Sequence, residues 1–199
     1  VTNLMHYVGL LAAHQYNYPS QDMLNIAITG TNGKTSISHW LNQAYTLLAQ
    51  TSAIIGTTAA GIYPADSDYA STTPDPITLQ HLLNQFKQAQ VDVLAMEVSS
   101  HALDQGRING VNFSTAVFTN LTQDHLDYHH SMSEYFAAKS ELFYWQGLKH
   151  AVINADDAYG QQLIATLQAN NPALHLLSYG IEQGDLRASE IQLTTQGIK

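Results

Sequence analysis

The sequence contains no cysteine, which removes disulfides and thiolate metal centres from consideration and is compatible with a reducing compartment. It is also poor in positive charge: 7 Lys+Arg stand against 16 Asp+Glu, a formal charge of −9 at pH 7. A nucleic-acid groove needs clustered cations to displace counterions, so no nucleic-acid partner is expected. No apolar run approaches the ~20 residues of a membrane span, and the opening residues show no basic, apolar and small-residue order of a secretory signal. No membrane span and a cytoplasmic location are therefore the expectations. What is present is a globular composition, 199 residues of which 45% are hydrophobic and 12% charged, enough to bury a full core.

The most informative stretch is Ile28-Thr29-Gly30-Thr31-Asn32-Gly33-Lys34-Thr35. A strand-length apolar run, Leu24 to Ile28, leads into Gly-x-x-Gly-Lys-Thr, and Ser36 to Gln50 reads as a helix. That order makes a phosphate cradle: the glycines let backbone N–H groups turn inward, the following helix points its positive end at the anion, and Lys34 reaches the outer phosphates. Thr35 then offers its hydroxyl to Mg²⁺. The general pattern has glycine six residues before the lysine, where this chain has Ile28. The alternative is a structural glycine turn, disfavoured by the flanking strand and helix.

The remaining chain alternates. Apolar spacing at Leu4, Tyr7, Val8 and Leu11 gives one helix face before Pro19. Strands follow at 24–29, 52–57, 92–98, 113–119, 150–154 and 174–179, and helices at 35–50, 77–89, 133–145 and 157–169. This rhythm predicts an α/β fold with a mostly parallel sheet flanked by helices. The polar connection between Thr57 and Ile77, with Ser71-Thr72-Thr73-Pro74-Asp75-Pro76, is too long for a mere link and reads as functional.

Two strand exits carry chemistry. Met96-Glu97-Val98-Ser99-Ser100-His101 delivers an acid, hydroxyls and an imidazole to the edge where open α/β sheets bind ligands. Glu97 and His101 suit a divalent cation, the bland alternative being a capped strand exit with a solvated carboxylate. Thr119-Asn120-Leu121-Thr122-Gln123-Asp124-His125-Leu126-Asp127-Tyr128-His129 ends the next strand. His125 and His129 have a spacing that could clasp zinc on a helix, but His-Glu-x-x-His is absent, so nucleotide or substrate contacts are preferred, with solvated histidines as the alternative for His129 and His130. Arg107, after Gln105, suits a carboxylate or phosphate of a second substrate, or else a salt bridge with Asp104. Lys139 lies among aromatic and small residues; its sequence context alone says surface lysine, whereas partial desolvation would lower its pKa and let its neutral amine take up CO₂ as a carbamate.

Together Thr29 to Thr35, Met96 to His101, Thr119 to His129, Ala137-Ala138-Lys139 and Ile153-Asn154-Ala155-Asp156-Asp157 resemble, in order from about Ile26 to Gly160, the Mur ligases, most of all the MurE type. The resemblance implies a P-loop NTPase-like central domain of an ATP-dependent amide ligase of peptidoglycan synthesis, acting on UDP-N-acetylmuramoyl-L-alanyl-D-glutamate and an amino acid through an acyl phosphate. By the same resemblance Gly30, Thr31, Asn32, Gly33, Lys34, Thr35, Ser36, Asn120 and Asp124 would bind ATP. Thr35 and Glu97 would hold one Mg²⁺, with His101 and a carbamylated Lys139 serving a second. Lys34, Lys139 and His101 would be the catalytic set, and Thr72, Thr73, Ser99, Gln105 and Arg107 would grip the UDP-muramoyl dipeptide.

The family often has Asn-Thr-Thr-Gly where this chain has Ser-Thr-Thr-Pro at 71–74. The resemblance also implies two domains that these residues do not contain, an N-terminal one for the UDP end and a C-terminal one for the amino acid. Residues 1–22 then read as a linker and 23–199 as a truncated central domain that would not complete the ligation alone. Meso-diaminopimelate is the expected amino acid, with L-lysine the alternative, and a monomer is expected. The competing readings are a folylpolyglutamate synthase-like ligase, which typically has Gly-Lys-Gly-Ser where this chain has Gly-Lys-Thr-Ser, and a non-catalytic nucleotide-binding module.

Overall fold

Strands buried on both faces read as continuous apolar runs, and the central strands of this protein are of that kind. The computed structural model describes residues 4–65, 71–194 and 197–198, so 66–70, inside the long connection, and residues 1–3 of the expected linker lie outside the described residues. Helix α1 (Leu4–Gln15) and a 3-10 turn at Pro19–Asp22 precede β1 (Leu24–Thr29) and α2 (Lys34–Leu47). Then come β2 (Ser52–Ile55), β3 (Ala60–Ile62), α3 (Pro76–Gln88), β4 (Val93–Glu97), α4 (Ser100–Asp104) and β5 (Thr115–Phe118). The chain continues through α5 (Leu126–His129), α6 (Met132–Ser140), β6 (His150–Asn154), α7 (Ala158–Asn170), β7 (His175–Gly180) and β8 (Leu186–Arg187). A small hairpin, β9 (Leu193–Thr194) with β10 (Gly197–Ile198), stands apart from the main sheet.

The main sheet has the order β3-β2-β4-β1-β5-β6-β7-β8. Every neighbour pair is parallel except β2 with β3, as the alternation of elements predicts. Strand β1 is central, with Ile28 in register with Glu97 on one side and Val117 on the other. From β1 the chain moves to β2 on one flank and later passes from β4 across β1 to β5, so the topological switch, and with it the crevice, opens at the carboxyl ends of β4, β1 and β5.

One face of the sheet carries the larger core, including Leu79, Leu83, Phe86, Leu94, Met96, Phe113, Phe118, Leu142, Phe143 and Leu163. On the other, α2 lays Ile37, Leu41 and Tyr45 on Ile26, Ile28, Val93, Ala95 and Val117. Helix α3 starts where its sequence says it should: Asp75 accepts from the N–H of Ile77 (3.0 Å) and Thr78 (3.1 Å), and Pro76 occupies the first turn.

Several boundaries differ from the periodicity. The strand read over 52–57 stops at Ile55, because the chain turns at Gly56 and returns as the antiparallel β3. The helix read over 133–145 closes at Ser140 and tightens into a 3-10 turn at Glu141–Tyr144. Helices α4 and α5, of five and four residues, are too short to leave a periodic signal. Residues Leu4–Gln15 form a helix docked on the domain, with the Asn109 side chain donating to His6 O (3.0 Å).

Phe118 is fully buried and meets the rings of Phe136 and Phe143 edge-on at 6.5 and 6.3 Å. Phe118→Ala is expected to lose about 3–5 kcal/mol of unfolding free energy in urea titration. Leu47→Ala, at a position 87% exposed, should change it by less than about 0.5 kcal/mol.

Candidate functional site

The turn after β1 is shaped by close approach. Gly30 has φ 140°, and a Cβ there would lie 1.9 Å from Thr119 Oγ1, so only glycine fits. The loop beyond it is fastened to the end of β5: Thr31 N–H donates to Asn120 O (2.9 Å), Asn32 N–H to Asn120 Oδ1 (3.0 Å), and Asn32 O accepts from Thr119 Oγ1 (2.6 Å) and Asn120 Nδ2 (3.1 Å). Asn120, expected at the nucleotide, thus clamps the loop that would hold it. Helix α2 begins at Gly33 with no side chain capping it, which leaves first-turn N–H groups available to an anion.

Two lysines converge on this turn. Lys34 Nζ donates to Gly30 O and Thr31 O, both at 2.9 Å, and Lys139 Nζ, arriving from α6, donates to the same Gly30 O at 3.0 Å. Lys139 is 1% exposed, with its ammonium 4.6 Å from the centre of the Tyr135 ring. The surface lysine of its sequence context is therefore a buried one. Burial lowers the pKa of Lys34, against the opposing charges of Glu97 and Asp124. Burial lowers that of Lys139 to about 7, assisted by the charge of Lys34 and opposed by Asp124.

Facing the lysines, Glu97 ends β4 with 1% exposure. Its Oε1 accepts from Thr57 N (3.1 Å) and its Oε2 from Thr57 Oγ1 (3.1 Å). A cavity of about 230 Å³ lies between, walled by residues 31–36 of the turn and by Thr57, Thr72, Glu97, Ser99, Ser100, His125, Tyr135 and Lys139. Thr35 and Glu97 present hard oxygen donors to it, which suits Mg²⁺. Among the described residues no three His, Asp or Glu side chains gather as a metal cage; Mg²⁺ needs none, because it is held by one or two carboxylates together with substrate phosphates.

The residues expected to grip a second substrate divide. Thr72 and Ser99 face the cavity. Thr73 is buried, its hydroxyl donating to Glu97 O (3.0 Å) and accepting from Ser99 N (3.0 Å). Arg107 is held by Gln105 Oε1 at 2.6 and 2.8 Å and by Thr73 O at 3.3 Å; it bonds these groups and not Asp104, which accepts from Tyr128 OH (2.6 Å). His101 sits beside the cavity in a ring cluster, 4.9 Å from His125, 4.2 Å from Tyr128 and 5.4 Å from His129. Burial and the neighbouring His125, His129 and Arg107 lower its pKa. His129 is buried and bonded to Ser100 Oγ (2.8 Å), unlike the solvated histidine that was its alternative. Asp124 receives the His125 N–H (2.9 Å).

Residues 28–199 match the family model described as the Mur ligase middle domain. The chain belongs to this family. Its motifs and its sheet thus agree with the resemblance read from Gly30 to Thr35, Glu97 to His101 and Thr119 to His129. The UDP-N-acetylmuramoyl-L-alanyl-D-glutamate–2,6-diaminopimelate ligase of Chromobacterium violaceum is 52% identical over 199 residues, covering all of this chain and 40% of the relative. That of Neisseria meningitidis serogroup A is 50% identical with the same coverage. The chain spans 40% of the length of these curated relatives. A solved UDP-N-acetylmuramoyl-L-alanyl-D-glutamate–2,6-diaminopimelate ligase superposes with a TM-score of 0.87 at 34% identity, over all of this chain and 41% of that one. A Mycobacterium tuberculosis folylpolyglutamate synthase complexed with ADP and AMPPCP shares the fold at TM-score 0.76 and 16% identity, over 97% of this chain and 50% of that one.

In this Mur ligase middle domain, Thr57 and Tyr135 line the cavity without having stood out in the sequence, and Ser100, one of the hydroxyls of the β4 exit, lines it too. Gly56-Thr57 could have been found from strand order, since β2 is parallel to β4 and ends at the same edge as Glu97. Tyr135 carries no such signal.

Lys139 has a folded-state pKa of about 7 against an ordinary 10.5, so the unfolded chain binds more protons between these values. Stability contributed by this residue therefore rises with pH from about 7 to about 10.5, and the penalty of burying the ammonium acts in full below 7. Thermal unfolding across this range is expected to show that rise in the wild-type protein and to lose it in Lys139→Met.

Proposed function

We propose that this domain binds ATP for an amide ligase that joins a diamino acid, meso-diaminopimelate, to UDP-N-acetylmuramoyl-L-alanyl-D-glutamate in peptidoglycan synthesis. The observation that carries the reading is the convergence of Lys34, Lys139 and the uncapped start of α2 on one cavity opposite Glu97. A buried lysine, a half-buried one and free N–H groups fit a polyphosphate, and the buried Glu97 carboxylate across the cavity would be repelled by that polyphosphate without a cation between.

In this reading the turn from Gly30 to Ser36 holds the phosphates, and Lys34 leaves its own loop carbonyls to follow the charge of the γ-phosphoryl group. Asn120 and Asp124 serve the nucleotide, the first by clamping Asn32. Thr35 with Glu97 would hold one Mg²⁺ and His101 with Lys139 a second, and such ions would supply neutralisation of the developing phosphate charge. A substrate carboxylate oxygen attacks the γ-phosphorus and ADP leaves. The amine of the incoming amino acid then attacks the acyl carbon, loses a proton and expels inorganic phosphate, giving the amide.

Lys139 enters as its carbamate. With a pKa of about 7, about half of its amine is neutral at pH 7, and the neutral amine adds to CO₂ with loss of a proton, turning a buried cation into an anion able to face Mg²⁺. Thr72 and Ser99 meet the muramoyl dipeptide directly, while Thr73, Gln105 and Arg107 shape that wall. Residues 1–22 connect to a UDP-binding domain, a C-terminal domain selects the amino acid, and the protein works as a cytoplasmic monomer. Among the described residues no helix is long and apolar enough to cross a membrane.

The test is phosphate release from Mg-ATP by the full-length protein. Release is expected only with UDP-muramoyl-L-alanyl-D-glutamate together with diaminopimelate; lysine in its place would change the amino acid assigned. Release with folate and glutamate, or with no pair, would replace the ligase reading by a folylpolyglutamate synthase or a binding module. Labelled bicarbonate should give a carbamate carbonyl resonance in ¹³C NMR that Lys139→Met lacks.

A further inference from the structure

The Glu97 carboxylate is linked to Thr72, which also lines the cavity, by a two-hydroxyl chain. Thr57 Oγ1 donates to Glu97 Oε2 (3.1 Å), and Thr57 Oγ1 and Thr72 Oγ1 are 2.9 Å apart. A hydroxyl has one proton, and that of Thr57 is committed to the carboxylate, so Thr72 is the donor to Thr57. The order is Thr72 O–H to Thr57 Oγ1, then Thr57 O–H to Glu97 Oε2. Thr57 also gives its backbone N–H to Glu97 Oε1 (3.1 Å), so a single residue holds both carboxylate oxygens and leaves each with lone pairs toward the cavity. Gly56 permits this embrace: a Cβ there would lie 2.2 Å from Glu97 Oε1.

We propose that Thr57 is a positioning residue that couples the muramoyl-substrate wall to the metal carboxylate, so that a substrate engaging Thr72 tightens Mg²⁺ binding at Glu97. The proposal rests on the ligase reading above. Its physical basis is that hydrogen-bonded hydroxyls in series polarise and immobilise one another. With its proton spent on Thr57, Thr72 offers the cavity an acceptor oxygen. A ligand that donates an amide N–H or a hydroxyl to it fixes the chain and with it the rotamer of Glu97. A ligand carboxylate or phosphate placed there would instead draw the Thr72 proton away and release the chain. Because coupling between two binding equilibria is reciprocal, Mg²⁺ must tighten binding of the muramoyl dipeptide by the same factor.

The experiment is calorimetric titration of the full-length protein with a non-hydrolysable ATP analogue over a series of Mg²⁺ concentrations, with and without UDP-muramoyl-L-alanyl-D-glutamate. It reads binding and needs no turnover. In the wild-type protein the dipeptide should lower the half-saturating Mg²⁺ concentration by about fivefold or more. Thr57→Val should raise that concentration by about tenfold, the size of effect seen when a group orienting a metal ligand is lost, and should erase the dipeptide's influence. Thr57→Ser, which keeps both donors, should restore both. Thr72→Val breaks the far link and a contact to the dipeptide, so with the dipeptide raised to saturation it should still show the coupling removed. Thr57→Val or Thr72→Val with wild-type coupling would overturn the proposal while leaving the ligase reading intact. No Mg²⁺-dependent nucleotide binding in the wild-type protein would overturn both.

Discussion

Two ammonium groups share one backbone carbonyl, and the rest of the site follows from that contact. Gly30 O accepts from Lys34 and from Lys139 at 2.9 and 3.0 Å, although the two cations are far apart in sequence and both are desolvated. Burial disfavours the charged form of Lys139 and the neighbouring Lys34 ammonium adds to that, so its pKa falls to about 7. The arrangement stores an electrostatic demand for negative charge at the start of α2. A polyphosphate would satisfy it, and the carboxylate of Glu97, held back by Thr57, satisfies it only in part.

That contact depends on the sheet. Gly30 follows the central strand, and the loop after it can turn as tightly as it does only because Thr119 and Asn120 at the end of β5 hold the Asn32 backbone. The β5 exit is braced in turn from β6. Asn154 Nδ2 donates to Thr119 O (2.8 Å), and Asp157, which caps α7, accepts from Leu121 N (3.1 Å). The Asn154 to Asp157 motif bonds Thr119 and Leu121, and so fixes the strand exit that holds the turn after β1. Three strand ends and the start of α7 thus act as one support, and rigid positioning of this kind is what a phosphoryl-transfer site requires.

What the sequence revealed and concealed divides along the range of the interactions. The turn at Gly30 to Thr35 was readable because its glycines answer local backbone needs, and Glu97 was readable because strand exits in a parallel sheet share an edge. Asn120 was expected at the nucleotide, and its clamp on Asn32, spanning 88 residues, had no local sign. The embrace of Glu97 by Thr57 and the burial of Lys139 against Gly30 are tertiary facts without a local signature, whereas the Lys139–Tyr135 contact is an i,i+4 pair of α6. Arg107 illustrates the same limit: its nearest acid in sequence, Asp104, is taken by Tyr128, and the guanidinium turns to Gln105 and Thr73. The strand β3 and the helices α4 and α5 escaped because three to five residues carry no measurable period.

The most direct test of the account is the affinity of ATP for the protein and for Lys34→Ala, measured by titration with Mg²⁺ and with EDTA. The account predicts binding that requires Mg²⁺ and falls at least tenfold in Lys34→Ala, a loss of about 1.4 kcal/mol or more. Equal affinity in the two proteins, or binding indifferent to Mg²⁺, would contradict the convergence of buried charge on the phosphate turn as the origin of the site.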